Sequence, residues 1–147
     1  NLRPESRGSV RLASPDPKAP PVIAPNYLAT EGDRRVAVDS IRLTRRIVAQ
    51  SPMAKYAPEE IKPGLSYESD ADLVRAAGEV GTTIFHPVGT VCMGPGEEAP
   101  LDAECRMKGI GGLRVVDASV MPRITSGNTN SPTIMIAEKA ADMILRG

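Results

Sequence analysis

A single histidine, His86, occurs among the 147 residues, and it opens the run His-Pro-Val-Gly-Thr-Val-Cys-Met-Gly at 86–94. A neutral imidazole is the natural side chain to take a proton near pH 7. The small residues after it let backbone approach a ligand closely, and Phe85 and Pro87 are placed to shield the ring. A lone histidine after a short β-prone run is nonetheless more often structural than catalytic. Asn128, which follows Gly127, has two roles open to it. Its amide can hydrogen-bond the turn or cap a helix, or it can donate to an oxygen that gains negative charge. Asp117 ends the apolar run Leu113–Val116, where a carboxylate either caps the loop or accepts from hydroxyls of a bound cofactor.

Positioning these side chains requires a strand, a loop and a helix, and GLRVVDASVMPRITSGNTNSPTIMIAEKAADMILR at 112–146 supplies the pattern for all three. Leu113–Val116 reads as a buried strand stopping on Asp117, followed by an irregular loop with Pro122 and Gly127. A helix follows over 131–146. A strand with an acid at its C-terminal end, and a helix N-terminus aimed back at it, form a ligand-binding arrangement found in many α/β proteins. Ser131 offers an N-cap with Pro132 at the first helical position. Ile134, Ile136, Ala137, Ala140, Ala141, Met143, Ile144 and Leu145 share one arc, with Glu138, Lys139, Asp142 and Arg146 on the other, so this helix is expected to be well buried.

Upstream, residues 1–25 hold six of the 14 prolines and leave room only for short strands, Ser9–Ala13 and Val22–Ile23 at a sheet edge. Asn26–Asp33 reads as a connection. Arg34–Ala49 is a helix: Val36, Ala37, Ile41, Leu43, Ile47 and Val48 fall within an arc of roughly 160°, and the arginines at 34, 35, 42, 45 and 46 take the other side as a solvated face. Ser51–Ser69 should be loop with at most a helical turn. Asp70–Glu79 is a short helix ending at Gly81. Thr82–Phe85 is β-prone, Glu97–Leu101 is a polar turn, and Glu104–Met107 with Leu113–Val116 reads as a hairpin or a strand pair with a loose turn at Lys108–Gly112.

The chain is the size of one ordinary domain, with equal numbers of acidic and basic residues. No apolar run approaches about 18 residues, so no transmembrane segment is expected. No basic block carries interleaved aromatics, which makes nucleic acid an unfavoured partner. Cys92 and Cys105 could form one bridge, but a reduced, cytoplasmic protein is the better reading, and one histidine with two cysteines speaks against a metal site. The first residue is Asn1 rather than Met, and the expectation is a piece of something longer.

HPVGTVCMG at 86–94, followed by GLRVVDASVMPRITSGNTNSPTIMIAEKAADMI at 112–144, closely resembles the C-terminal region of the glucose-methanol-choline (GMC) flavin oxidoreductases. The likeness is nearest to the choline dehydrogenase-like and alcohol dehydrogenase-like members. RPESRGSVRL at 3–12 and APNYL at 24–28 look like strands of the family's substrate domain, so the resemblance covers nearly the whole chain. It implies that His86 takes the proton of a small-molecule alcohol while hydride passes to N5 of FAD, and that Asn128 binds the alcohol oxygen. Asp117 and Ala118 match positions near the FAD pyrophosphate and ribityl chain, and Thr129 matches a backbone contact to the flavin ring. The family grips the ADP half of FAD through a G-x-G-x-x-G loop between strand and helix. This chain has none: Gly109-Ile-Gly-Gly112 is a turn ahead of a strand.

The resemblance therefore implies an α+β fold. Residues 1–80 would be part of an antiparallel substrate-domain sheet with helices, and residues 81–147 the C-terminal strand and helix of an FAD-binding domain. The leading reading is the last quarter to third of an FAD-dependent alcohol dehydrogenase. The alternative is a non-catalytic folded fragment or interaction module that needs an N-terminal FAD-binding partner. A stand-alone hydrolase fares badly, since no G-x-S-x-G elbow is present. Unpartnered sheet edges and an apolar helix face would favour a homodimer.

Overall fold

Thr30, itself extended, starts the longest helix described, α1 (Glu31–Val48), by accepting the Asp33 N–H on Oγ1 at 3.2 Å. The computed structural model describes residues 1–146, and they divide into two units, one comprising Arg3–Thr83 and the other beginning at Ile84.

In the first unit the Pro-punctuated N-terminus makes only a two-stranded antiparallel ribbon, β1 (Ser9–Arg11) with β2 (Val22–Ala24), in the register Val10 opposite Ile23. Every residue of both strands is exposed. α1 packs on α2 (Asp70–Val80), which Ser69 caps through the Asp72 N–H at 3.1 Å and Gly81 ends. Buried Val38, Leu73 and Ala76 form the apolar part of this unit.

Two expectations for α1 need correction. It begins at Glu31, not Arg34, because Thr30 and Asp33 supply the capping chemistry of a helix start. Its buried face also runs through Asp33, Val38 and half-buried Ala37, Ile41, Arg45 and Val48, leaving Val36, Leu43 and Ile47 exposed. Arg45 is therefore not on a solvated face. It makes a two-pronged pair with Glu60 (Nη2–Oε1 2.7 Å, Nε–Oε2 2.8 Å) and donates to the carbonyls of Tyr67 and Gly64. The loop 51–69, apart from one 3-10 segment (Ser51–Tyr56), is organised around that guanidinium.

The second unit packs around Leu101, Cys105 and Val120, with Val91, Met93, Met107, Val115, Val116 and Ile136 against them. Its backbone is tied by isolated bridges (Met93 with Leu101, Leu101 with Met107, Arg106 with Arg114) instead of a ladder. The expected partners Glu104–Met107 and Leu113–Val116 do meet, antiparallel at Arg106 and Arg114 with the Met107 N–H on the Leu113 carbonyl at 2.9 Å, but neither stretch is a regular strand. Cys105 adopts a left-handed backbone (φ 59°) that interrupts the run, and Gly112 (φ 74°) turns the chain just before Leu113, which is exposed. Thr82–Phe85 is not a strand either; Phe85, with φ 62°, bends it out of extended geometry. Leu101, expected in a polar turn, is fully buried. Cys92 and Cys105 are both free, and burial pushes the Cys105 thiol up from its ordinary pKa.

The last helix, α3 (Asn130–Leu145), starts one residue ahead of expectation. Thr129 is its N-cap residue, so Pro132 lies at the third helical position, where its missing N–H is one of the donors a helix start leaves free anyway. α3 is not well buried: Ala140 is its one buried residue, while Ile134, Met135, Ile144 and Leu145 are exposed. Among the described residues, no helix is long and apolar enough to cross a membrane.

Candidate functional site

His86, Asp117, Ala118, Asn128 and Thr129 all belong to the second unit. His86 is half-buried and its imidazole has no hydrogen-bond partner among the described residues. The shielding expected from its neighbours is not found. Pro87 is exposed, and the Phe85 side chain is 81% exposed because its left-handed backbone swings it outward.

From His86 the chain runs alongside a short 3-10 turn, Ala118–Val120. The Val91 N–H donates to the Ser119 carbonyl at 3.2 Å and the Met93 N–H to the Val120 carbonyl at 2.9 Å. Gly89 approaches the same segment so closely that a Cβ at this position would lie 3.3 Å from the Met121 carbonyl oxygen. Asp117 caps the turn, its Oδ1 accepting the Ser119 N–H at 2.7 Å. The loop-capping role is thus filled by one oxygen, and the carboxylate remains exposed. Ala118 is half-buried.

Asn128 follows Gly127 (φ 152°) and is exposed; its amide neither caps α3 nor bonds another described residue. The turn-bonding and helix-capping roles open to it are therefore unfilled. Thr129 is buried, and its carbonyl accepts from both the N–H and Oγ1 of Thr133, at 3.0 and 2.6 Å. Its own side chain makes no capping bond. α1 and α2 each have a side-chain cap and α3 has none, which leaves N–H groups at its start directed outward with the positive end of the helix dipole.

Two residues within the quoted motifs, given no role there, stand out here. Ser119 Oγ, in the turn that Asp117 caps, is buried without a partner among the described residues. Gly89 makes the close approach described above. The glycine after the histidine was visible as a small residue, but its neighbour at 121 was not. A groove along Val36, Asp39, Leu43 and Arg46 of α1 belongs to the first unit, whereas His86 and Asn128 belong to the second.

The chain belongs to the GMC oxidoreductase family, whose model matches residues 4–137. It is 49% identical over 144 residues to the oxygen-dependent choline dehydrogenase of Chromohalobacter salexigens, covering 98% of this chain and 26% of that protein. Identity and coverage are the same for the enzyme of that description from Klebsiella pneumoniae. Among solved structures it is similar to pyridoxine 4-oxidase from Mesorbium loti (34% identity, TM-score 0.92, 99% of this chain and 28% of that one). It is also similar to an FAD-dependent oxidoreductase from Chaetomium thermophilum (28% identity, TM-score 0.91, 99% and 26%). The chain spans about a quarter of the length of the curated relatives it matches.

Proposed function

We propose that this chain supplies the proton acceptor and the oxygen-binding side chain of an FAD-dependent oxidoreductase acting on CH–OH donors, with a choline-like alcohol as substrate. The observation that supports it most is the identity to choline dehydrogenases across nearly the whole chain, His86 and Asn128 lying within the family match. His86 takes the hydroxyl proton on its free imidazole nitrogen as the C–H bond breaks, and Asn128 donates its amide N–H to the oxygen as charge grows there. FAD, when bound, supplies the hydride acceptor.

The residues present fit the flavin end of that cofactor. The uncapped start of α3, the Asp117 carboxylate, which keeps an exposed oxygen, and the partnerless Ser119 hydroxyl are polar groups of this unit open to it. Asp117, Ala118 and the Thr129 backbone would lie along it. The ADP end has no G-x-G-x-x-G loop to hold it. That absence, with the quarter-length match, supports a second reading for the chain by itself: a folded segment that holds no FAD until a flavin-binding partner joins it. Residues 1–80 then belong to the substrate domain and 81–147 to the flavin domain.

The test is a graft of residues 1–147 into the Chromohalobacter salexigens relative in place of the matched quarter. The graft should oxidise choline with a dye acceptor, and His86→Ala should lower turnover by about 10²–10⁴-fold at unchanged FAD content. Unchanged turnover in that variant would remove His86 as the base. The chain alone should be colourless; flavin bands at one-to-one stoichiometry would defeat the second reading.

A further inference from the structure

We infer that Gly89 is a positioning residue for His86: by lacking a side chain it lets the histidine's loop lie flush on the Met121 carbonyl. This rests on the proposed role of His86 and extends it to how the base is held. Two facts make the position demanding. Its φ of 87° is one that residues with a Cβ rarely adopt, and a Cβ there would lie 3.3 Å from the Met121 oxygen, closer than ordinary van der Waals contact.

The carbonyl it meets cannot give way easily. Met121 is buried, its N–H is bonded to the Ala118 carbonyl at 3.3 Å, and the next residue is Pro122, which stiffens the peptide. The loop must therefore be the part that moves. On one side of Gly89 it is latched by Val91 and Met93 to the carbonyls of Ser119 and Val120. On the other, only Pro87 and Val88 separate it from His86, and the proline ring restricts the backbone that could absorb a shift. A displacement of a few tenths of an ångström at Gly89 is thus carried to the imidazole. It changes the register of the base against the segment of Asp117 and Ala118, and proton transfer is sensitive to that geometry.

A control lies in the same unit. Gly109 has nearly the same φ, 79°, but nothing lies within 4 Å of a Cβ placed there. Gly109→Ala carries the backbone penalty without the contact. In the chain itself, Gly89→Ala should lower hydrogen-exchange protection of the Val91 and Met93 amides and shift the imidazole resonances of the one histidine. Gly109→Ala should do neither. In the graft, Gly89→Ala should slow flavin reduction by roughly 10–100-fold with KM and FAD content retained. Should Gly89→Ala fail to fold, Val91→Pro deletes one latch and should give the same kinetic signature. Unchanged protection and reduction in Gly89→Ala, or an equal loss in Gly109→Ala, would overturn the inference. Full activity in His86→Ala would instead overturn the base assignment while leaving the exchange result standing.

Discussion

Asp33 is the most heavily bonded carboxylate among the described residues. Its two oxygens accept from the Asn1 side chain at 2.7 Å, from the backbone N–H groups of Glu5 (3.0 Å) and Ser6 (2.7 Å), and from the Ser6 hydroxyl. Ser6 Oγ in turn accepts the N–H groups of Ala29 and Thr30 at the start of α1, so the pair joins the N-terminal segment to a helix start. Burial pushes the Asp33 carboxyl up, but the bonds from the Ser6 hydroxyl, the Glu5 and Ser6 backbone and Asn1 outweigh it and hold the pKa at about 2. A carboxyl depressed in the folded state stabilises the fold fully above its unfolded pKa and loses that contribution as pH falls through the folded value. The chain should therefore lose on the order of 2 kcal/mol between about pH 4 and pH 2 from this group. Asp33→Asn should be less stable at neutral pH and show a flatter acid limb. Urea titrations at pH 7, 4 and 2.5 would check this, and parallel curves for the two proteins would refute it.

At the scale of elements, Arg45 does for the loop 51–69 what Asp33 does for the N-terminus. Its pair with Glu60 is only partly exposed, and the Gly64 N–H also bonds Glu60 at 3.0 Å, so helix, loop and ion pair form one unit. Arg45→Met should cost about 1–2 kcal/mol, less than a fully buried pair because both side chains still meet solvent. Adding Glu60→Met should recover part of that, since the orphaned carboxylate is the larger penalty; denaturant midpoints of the two variants would show it. Arg45 also shows what periodicity conceals. The arc through Val36, Leu43 and Ile47 is a true apolar stripe of α1, yet these three are exposed and Val38 is the apolar residue of α1 that is buried. Helix periodicity shows that a face exists, not which partner takes it. Local chemistry was more legible: Ser69 and Gly81 bound α2 as expected, because capping depends on neighbours in sequence. The run 113–116 does meet its expected partner 104–107, the Val115 N–H donating to the Cys105 carbonyl at 3.1 Å, but the pairing stays an isolated bridge because Cys105 is left-handed, which no pattern marks. In the candidate site the residue types at 86, 117 and 128 could be read from motif and spacing. The contact of Gly89 with Met121, which joins two distant stretches, could not.

Across the whole molecule the recurring feature is apolar surface on regular elements. Ile23 on the β1–β2 ribbon is 65% exposed and Leu145 on α3 is 86% exposed, each among exposed apolar neighbours. A two-stranded ribbon is marginal without further strands, and both its outer edges are unpaired among the described residues. Soluble monomers seldom leave such faces open. In a protein that spans a quarter of its relatives' length, these are the faces we propose a flavin-binding portion would cover. Without it, copies of the chain should associate with one another. Sedimentation velocity at rising micromolar concentrations should show an increasing mean mass, and Ile23→Lys with Leu145→Glu should reduce it by placing charge on both faces. Co-expression with the remaining portion of the Chromohalobacter salexigens relative should replace the self-associated species by a one-to-one, flavin-coloured complex. A chain that stays monomeric at all concentrations would rule out the homodimer. A complex that forms without colour would mean that covering these faces does not complete the flavin site.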